Sequence, residues 1–285
     1  MKISVFINTL NEEENIKDCL ETIKWADEII IVDMYSEDKT VDIAKNYTDK
    51  IYYFERCGYA DPARQFALEK CSNKWILLID ADMRVPLKLK NKFDEIMRED
   101  DADVVYVPLK YYYHGKLLHN YLVPDVNGIK YNYHLAFFKK DHITFNSKIH
   151  AFYNIIPNSK ILKLKNFEFG LLHLDTHSFE KNLIKLDRYS QIEIENSLKN
   201  IKSIRSNVNI IYFFILFLKE FFLLNIYRKN SSMNLLFIIY QLHYHVLIKS
   251  KHEIYKEFDS LDFSKEIKTK YTDVSNEVIS EYNYD

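Results

Sequence analysis

The sequence predicts an α/β fold: a mostly parallel sheet with helices on both faces, followed by a C-terminal helical region. Three observations carry this. Continuous apolar runs recur through the first 110 residues, and two of them close on an aspartate. Amphipathic stretches of helical spacing separate those runs, which is the order of βαβ units. After about residue 205 the composition shifts to aromatic and aliphatic stretches of helical length.

Lys2 to Thr9 is the first β-rich run. Asn11 is placed to cap a helix, with Glu14 three residues on as its box partner. Ile16, Cys19, Leu20 and Ile23 then share one helical face. Glu28 to Asp33 is a buried strand, because parallel strands covered on both faces lose the polar alternation of half-exposed ones. Thr40 to Tyr47 reads as a helix, Lys50 to Phe54 as a strand and Pro62 to Cys71 as a helix. Trp75 to Asp80 is a second continuous apolar strand. Leu87 to Arg98 is a helix and Val104 to Val107 a strand. From Leu109 to about Leu174 the pattern is irregular, strand-like and rich in aromatics. Ser178 to Ile204 returns to helix, with Leu183, Leu186, Ile194, Leu198 and Ile201 along one stripe. The expected division is a domain over 1–205 and a helical region with a charged tail over 206–285.

Composition narrows the function. The 285 residues are 47% hydrophobic and 28% charged, which excludes a disordered chain. A net charge of −2 gives no footprint for nucleic acid. Cys19, Cys57 and Cys71 lack disulfide or zinc spacing and suit a reducing cytoplasm. Four glycines leave no Gly-rich phosphate loop. The start, Met1 to Ile7, is too short for a signal peptide before the acidic Glu12-Glu13-Glu14.

In an open parallel sheet, ligands bind at the carboxyl ends of the strands. The acids that close strands are therefore informative. Asp33 closes one, and Asp80-Ala81-Asp82 closes another. Two carboxylates two residues apart, leaving a buried strand, can meet a divalent cation and a ribose or phosphate together. Mg²⁺ and Mn²⁺ take hard oxygen ligands, and a nucleotide diphosphate supplies more of them.

Four segments make the pattern specific. Ile7-Asn8-Thr9-Leu10-Asn11-Glu12 is followed by Ile31 to Thr40 (IVDMYSEDKT), then Ala63-Arg64-Gln65, then Trp75 to Asp82 (WILLIDAD). In this order and spacing they resemble glycosyltransferase family 2. The resemblance implies the GT-A (Rossmann-like) fold, a nucleotide-sugar donor, expected to be a UDP-sugar, and a divalent metal, Mn²⁺ or Mg²⁺. It implies that Thr9, Asn11 and Glu12 line the nucleotide, and that Asp33 holds its base or ribose. Arg64 would face the diphosphate or sugar, Asp80 would bind the ribose or donor sugar, and Asp82 the metal. The bland alternatives are a first-turn acid for Glu12 and a surface helix charge for Arg64.

Downstream, Tyr131 to Lys140, Lys148-Ile149-His150, His173 and Lys185 to Ser190 resemble the branch that builds lipopolysaccharide core and related surface glycans. Two departures stand out. Ala136 sits where that branch commonly has Arg, and Ala151 follows His150 where it usually has Glu. The missing Glu would be a natural base for the acceptor hydroxyl, and an inverting transferase needs one base within hydrogen-bond reach. His150 is one candidate, Asp125 a second and Asp175 a third. His173 is either a further metal ligand or a structural histidine. His243 and His245 share no helix face and are read as bystanders.

The C-terminal segment is apolar and basic. Its longest uninterrupted apolar run, Ile210 to Leu218, is nine residues, against the ~20 that a spanning helix needs. Between Ser206 and Lys251 five Lys or Arg face one acid, a balance of +4. That suits helices lying on an anionic membrane surface, and equally a pair packed on the catalytic domain or on a second subunit of a homodimer. The expected reading is a metal-dependent, inverting glycosyltransferase, cytoplasmic or peripheral on the inner face of the membrane. Its acceptor would be a cell-surface glycan or a lipid-linked one. A protein or peptide glycosyltransferase of the same fold and a non-catalytic donor-binding scaffold are the alternatives. A nucleotidyltransferase would carry a Gly-rich basic loop where Leu10-Asn11-Glu12-Glu13 stands.

Overall fold

The computed structural model describes residues 2–57, 61–118, 124–125, 128–129, 133–145, 153–174, 178–199, 218, 231–260 and 263–281. Its strands are β1 (Ile3–Thr9), β2 (Glu28–Asp33), β3 (Ile51–Tyr53), β4 (Trp75–Leu78), β5 (Met83–Arg84), β6 (Val104–Tyr113) and β7 (Lys116–Leu117). There follow β8 (Pro124–Asp125), β9 (Gly128–Ile129), β10 (Tyr133–Lys139), β11 (Ile143–Phe145), β12 (Tyr153–Ile155), β13 (Ile161–Lys163) and β14 (Leu171–Leu174). The helices are α1 (Ile16–Glu21), α2 (Thr40–Ala44), α3 (Asp61–Lys70), α4 (Leu87–Glu99) and α5 (Phe179–Lys199), then Ser231–Phe258 and Phe263–Glu281.

The main sheet runs β3-β2-β1-β4-β10-β6-β14-β5. The first four strands are parallel, as the βαβ alternation predicts. β10 is then inserted antiparallel to both β4 and β6, so the sheet is mixed beyond β4. Every residue of β1, β2 and β4 is buried. That is why their sequences read as unbroken apolar runs: successive side chains point to opposite faces, and both faces are covered. Val5 and Ile7 join the core that includes Leu20, Leu77 and Phe93. Phe6 joins the opposite core with Ala67, Ile76 and Phe145. β10 is held to the parallel half by Phe137, whose ring stacks on Trp75 at 4.6 Å and on Phe93 at 4.4 Å. Such pairs contribute ~0.5–1.5 kcal/mol each beyond the area they bury.

The helix expected to start at Asn11 starts at Ile16, and its cap, Asn15, makes no side-chain capping bond. Asn11 instead has a left-handed backbone, φ 55°. Its side chain is drawn into the neighbouring loop, where Oδ1 accepts from the Glu37 amide at 2.8 Å. A tertiary bond has overridden the local capping signal.

At the amino end of the sheet Glu28 is buried. Its carboxylate accepts hydrogen bonds from Ser4 Oγ and Lys50 Nζ, and from the Ser72 amide at 2.8 Å and Ser72 Oγ at 2.9 Å. Burial alone would raise its pKa, but these donors hold it down at about 2.

The chain divides into two compact units. One is Met1–Asn182 with Leu218–Ile238; the other is Leu183–Phe217 with Ile239–Asp285. In the second, Lys251 Nζ donates to the Asp187 carbonyl at 2.7 Å and Tyr244 Oη donates to Glu193. Of the stripe predicted along α5, Leu186 and Ile194 are buried and Leu183 is exposed. No described helix is long and apolar enough to cross a membrane.

Candidate active site

The carboxyl ends of β1 and β2 open into two loops bonded to each other. Asp33 is the hub and is fully buried. Its Oδ1 accepts from Thr9 Oγ1 at 2.9 Å and from Ser36 Oγ at 2.6 Å; its Oδ2 accepts from the Ser36 amide at 2.8 Å. The Asn11 amide donates to Ser36 Oγ at 2.8 Å, and the Glu12 amide to Thr40 Oγ1 at 2.7 Å. Glu12 Oε2 accepts from Asn15 Nδ2 at 3.0 Å. Four of the sequence-predicted residues, Thr9, Asn11, Glu12 and Asp33, are thus brought together at one sheet edge. The lacing costs two non-glycine residues a left-handed backbone, Asn11 and Tyr35, a conformation found where surrounding bonds over-determine it.

β4 ends at Leu78, two residues before the expected aspartate. The chain then turns through Asp80-Ala81-Asp82, closed by the Met83 amide donating to the Asp80 carbonyl at 2.9 Å. Arg84, nearly buried, clamps this turn by donating from Nη1 to the Ala81 and Met83 carbonyls, both at 2.9 Å. Sequence reasoning missed that clamp, since nothing local marks an arginine that bonds its own turn. Cys19 lies beneath, its thiol donating to the Asp80 carbonyl at 3.6 Å. Burial pushes that thiol far up, so it stays protonated and is no nucleophile.

The register of β5 against β14 sets His173 opposite Met83. That brings His173 Nε2 to 3.1 Å from Asp82 Oδ2. The Tyr111 and His173 rings meet edge to face with centroids 4.8 Å apart. Phe237, fully buried, packs in turn on Tyr111 and Tyr113 at 5.6 and 5.2 Å. On the other side, α3 projects Arg64 towards Asp80, with Nη2 at 3.7 Å from Oδ1. Asp80 keeps about a third of its side chain exposed, at 33%.

One residue of this cluster went unnoticed in the sequence. His134 lies on β10, and the Leu78 backbone, Asp80, Arg64 and His173 all act on its ring electrostatically. Burial is the main reason its pKa falls to about 4, with Arg64 and His173 adding to the effect and Asp80 opposing it. The imidazole is therefore neutral at physiological pH. A lone histidine inside the aromatic run Tyr131 to Phe138 carries no local signal of this placement.

The chemistry of the Asp82–His173 pair fits a divalent cation. Two ligands cis to each other on an octahedral ion, each at about 2.1 Å, stand about 3 Å apart, and these two atoms are 3.1 Å apart. No group of three or more His, Cys, Asp or Glu side chains able to hold a metal occurs among the described residues. A cation here would draw its remaining ligands from the donor and water. His150, Ala151 and Asp175 lie outside the described residues, and of Asp125 only the backbone, in β8, is described.

Residues 4–162 match the family model described as glycosyl transferase family 2. The lipopolysaccharide core biosynthesis glycosyltransferase LpsC of Rhizobium meliloti is 26% identical over 236 residues, covering 81% of this chain and 82% of its own. A Rickettsia typhi glycosyltransferase is 31% identical over 236 residues, covering 78% of this chain and 77% of its own. Among solved structures, Staphylococcus aureus TarS 1–349 in complex with UDP-GlcNAc aligns over 89% of this chain and 92% of that one. The TM-score is 0.47 and the identity 14%, a likeness too loose to transfer any residue's role.

Proposed function

The chain belongs to glycosyltransferase family 2, and on that premise we propose that it transfers a sugar from a nucleotide donor, a UDP-sugar, to a cell-surface glycan or lipid-linked acceptor. The observation that carries this reading is the Asp82–His173 pair, 3.1 Å apart, beside Asp80 and Arg64 at the carboxyl edge of the sheet. Asp82 and His173 would hold Mn²⁺ or Mg²⁺. When bound, such an ion supplies charge neutralisation for the departing diphosphate. Asp80 would accept from hydroxyls of the ribose or sugar, and Arg64 would donate to diphosphate or sugar oxygens. The laced loops carrying Thr9, Asn11, Glu12 and Asp33 would seat the base and ribose.

In the transfer itself the acceptor oxygen would attack the anomeric carbon from the face opposite the diphosphate. The new C–O bond forms as the bond to the diphosphate breaks, with inversion. The acceptor's proton would pass to His150, with Asp125 as the second candidate base. Residues 1–205 would form the catalytic domain. The basic apolar region from 206 would rest on an anionic membrane from the cytoplasmic side or on a second copy of the chain.

The direct test is a donor screen. Thermal shift with Mn²⁺ and UDP-, GDP- or dTDP-sugars should show a concentration-dependent rise for one nucleotide class. No response to any of them would sink the reading. For the membrane, sedimentation with phosphatidylglycerol vesicles should fall when Arg228 and Lys229 are both changed to Gln.

A further inference from the structure

The strongest unexplained feature of the site is one nitrogen. His134 Nε2 is buried and has no hydrogen-bond partner among the described residues. Buried polar atoms are nearly always paired, so an orphan beside a candidate site calls for a missing ligand. The Leu78 backbone acts on the ring as a hydrogen-bond acceptor, and with Nε2 unpartnered the ring proton is assigned to Nδ1. On that assignment Nε2 presents a bare lone pair. The low pKa of the ring keeps it in that form at neutral pH.

An atom of that kind cannot serve a phosphate or carbonyl oxygen, which has no hydrogen to give. It can serve an O–H group. Its neighbours repeat the selection: Asp80 is also an acceptor, while Arg64, 3.7 Å from Asp80, is a donor. Two acceptors and one donor complement a polyol, whose hydroxyl hydrogens go to the acceptors and whose oxygens accept from the guanidinium.

We infer that His134 is a sugar-recognition residue, its Nε2 accepting a hydrogen bond from a hydroxyl of the donor's glycosyl moiety. This rests on the proposed donor-binding reading and adds to it the group that tells a sugar nucleotide from the bare nucleotide.

The test measures a ratio. UDP-glucose, UDP-N-acetylglucosamine, GDP-mannose and dTDP-glucose, each paired with its free nucleoside diphosphate, are screened with Mn²⁺ against the full chain. Kd is then measured by calorimetry for the pair that binds. His134→Asn keeps a donor for the Leu78 carbonyl and removes the acceptor at the ε position. The preference for sugar nucleotide over free diphosphate should fall about tenfold, the size of one buried hydrogen bond, while Kd for the free diphosphate stays within about twofold. His134→Gln restores an acceptor near the ε position and should recover part of the preference; it also serves if the Asn variant does not fold. An unchanged preference in His134→Asn, or none recovered in a folded His134→Gln, overturns the assignment. If wild type binds none of these ligands, the donor reading fails first and this inference with it.

Discussion

At the amino end of the sheet, Glu28 is covered and its carboxylate is bonded by Ser4, Lys50 and both donors of Ser72. At the carboxyl end, Asp80 keeps a third of its side chain exposed and meets Arg64 only at 3.7 Å. Asp82 faces an imidazole that a cation could equally claim. Asp33 stands between these cases: it is at the carboxyl end, yet saturated by Thr9 and Ser36 like a structural acid. The contrast teaches that position at a strand end does not by itself make an acid functional. What separates Glu28 from Asp80 is burial: the one is covered, the other keeps a third of its side chain open to solvent.

The contrast breaks if acids at the two ends respond alike to mutation. The largest expected effect is on Asp82. Asp82→Ala should lower sugar transfer by about 10²–10³-fold or more while leaving the thermal midpoint within a few degrees, and should abolish Mn²⁺ binding seen by electron paramagnetic resonance. Near-normal turnover would refute the metal assignment. His173→Ala should follow with a loss nearer 10–100-fold, read in the same two assays.

Glu28→Ala should do the reverse. It strands Ser4, Ser72 and Lys50, and should cost about 1–3 kcal/mol in chemical denaturation with donor affinity unchanged. Glu28 also gives a pH signature. Its folded pKa, about 2, lies below the ordinary 4.5, so its contribution is complete above about 4.5 and drains away as pH falls towards 2. Glu28→Gln should flatten that part of the acid limb in a stability–pH profile. The smallest effect sharpens the cause. Lys50 is half exposed, at 50%, so Lys50→Ala should cost under about 1 kcal/mol and depend on salt. A larger loss would shift the weight from the serines to the ion pair.

The parallel half was legible in the sequence because burial on both faces leaves an unbroken apolar signature, and β1, β2 and β4 carry it plainly. The Asp80-Ala81-Asp82 turn was legible as the place where a buried apolar run stops on carboxylates. Arg64 and His173 were named through the resemblance, but not which aspartate each would meet. His173 comes to Asp82 through strand pairing 91 residues away, a distance that no local pattern spans. His134 looked like one more ring in an aromatic strand. Asn11 misled in the opposite direction: it has the chemistry of a helix cap, but its bonds go across to the β2–α2 loop. Each miss is a long-range contact overruling a local preference.

Phe237 ties the sheet to a part of the chain that a bench scientist would be tempted to discard. This ring belongs to the helix Ser231–Phe258, yet it wedges Tyr111, which in turn braces His173. A shortened protein ending before that helix would bare two tyrosine rings and loosen the imidazole beside Asp82. Its inactivity would then report a lost brace, not a lost acceptor or membrane, so truncations meant to probe those should leave residue 237 in place.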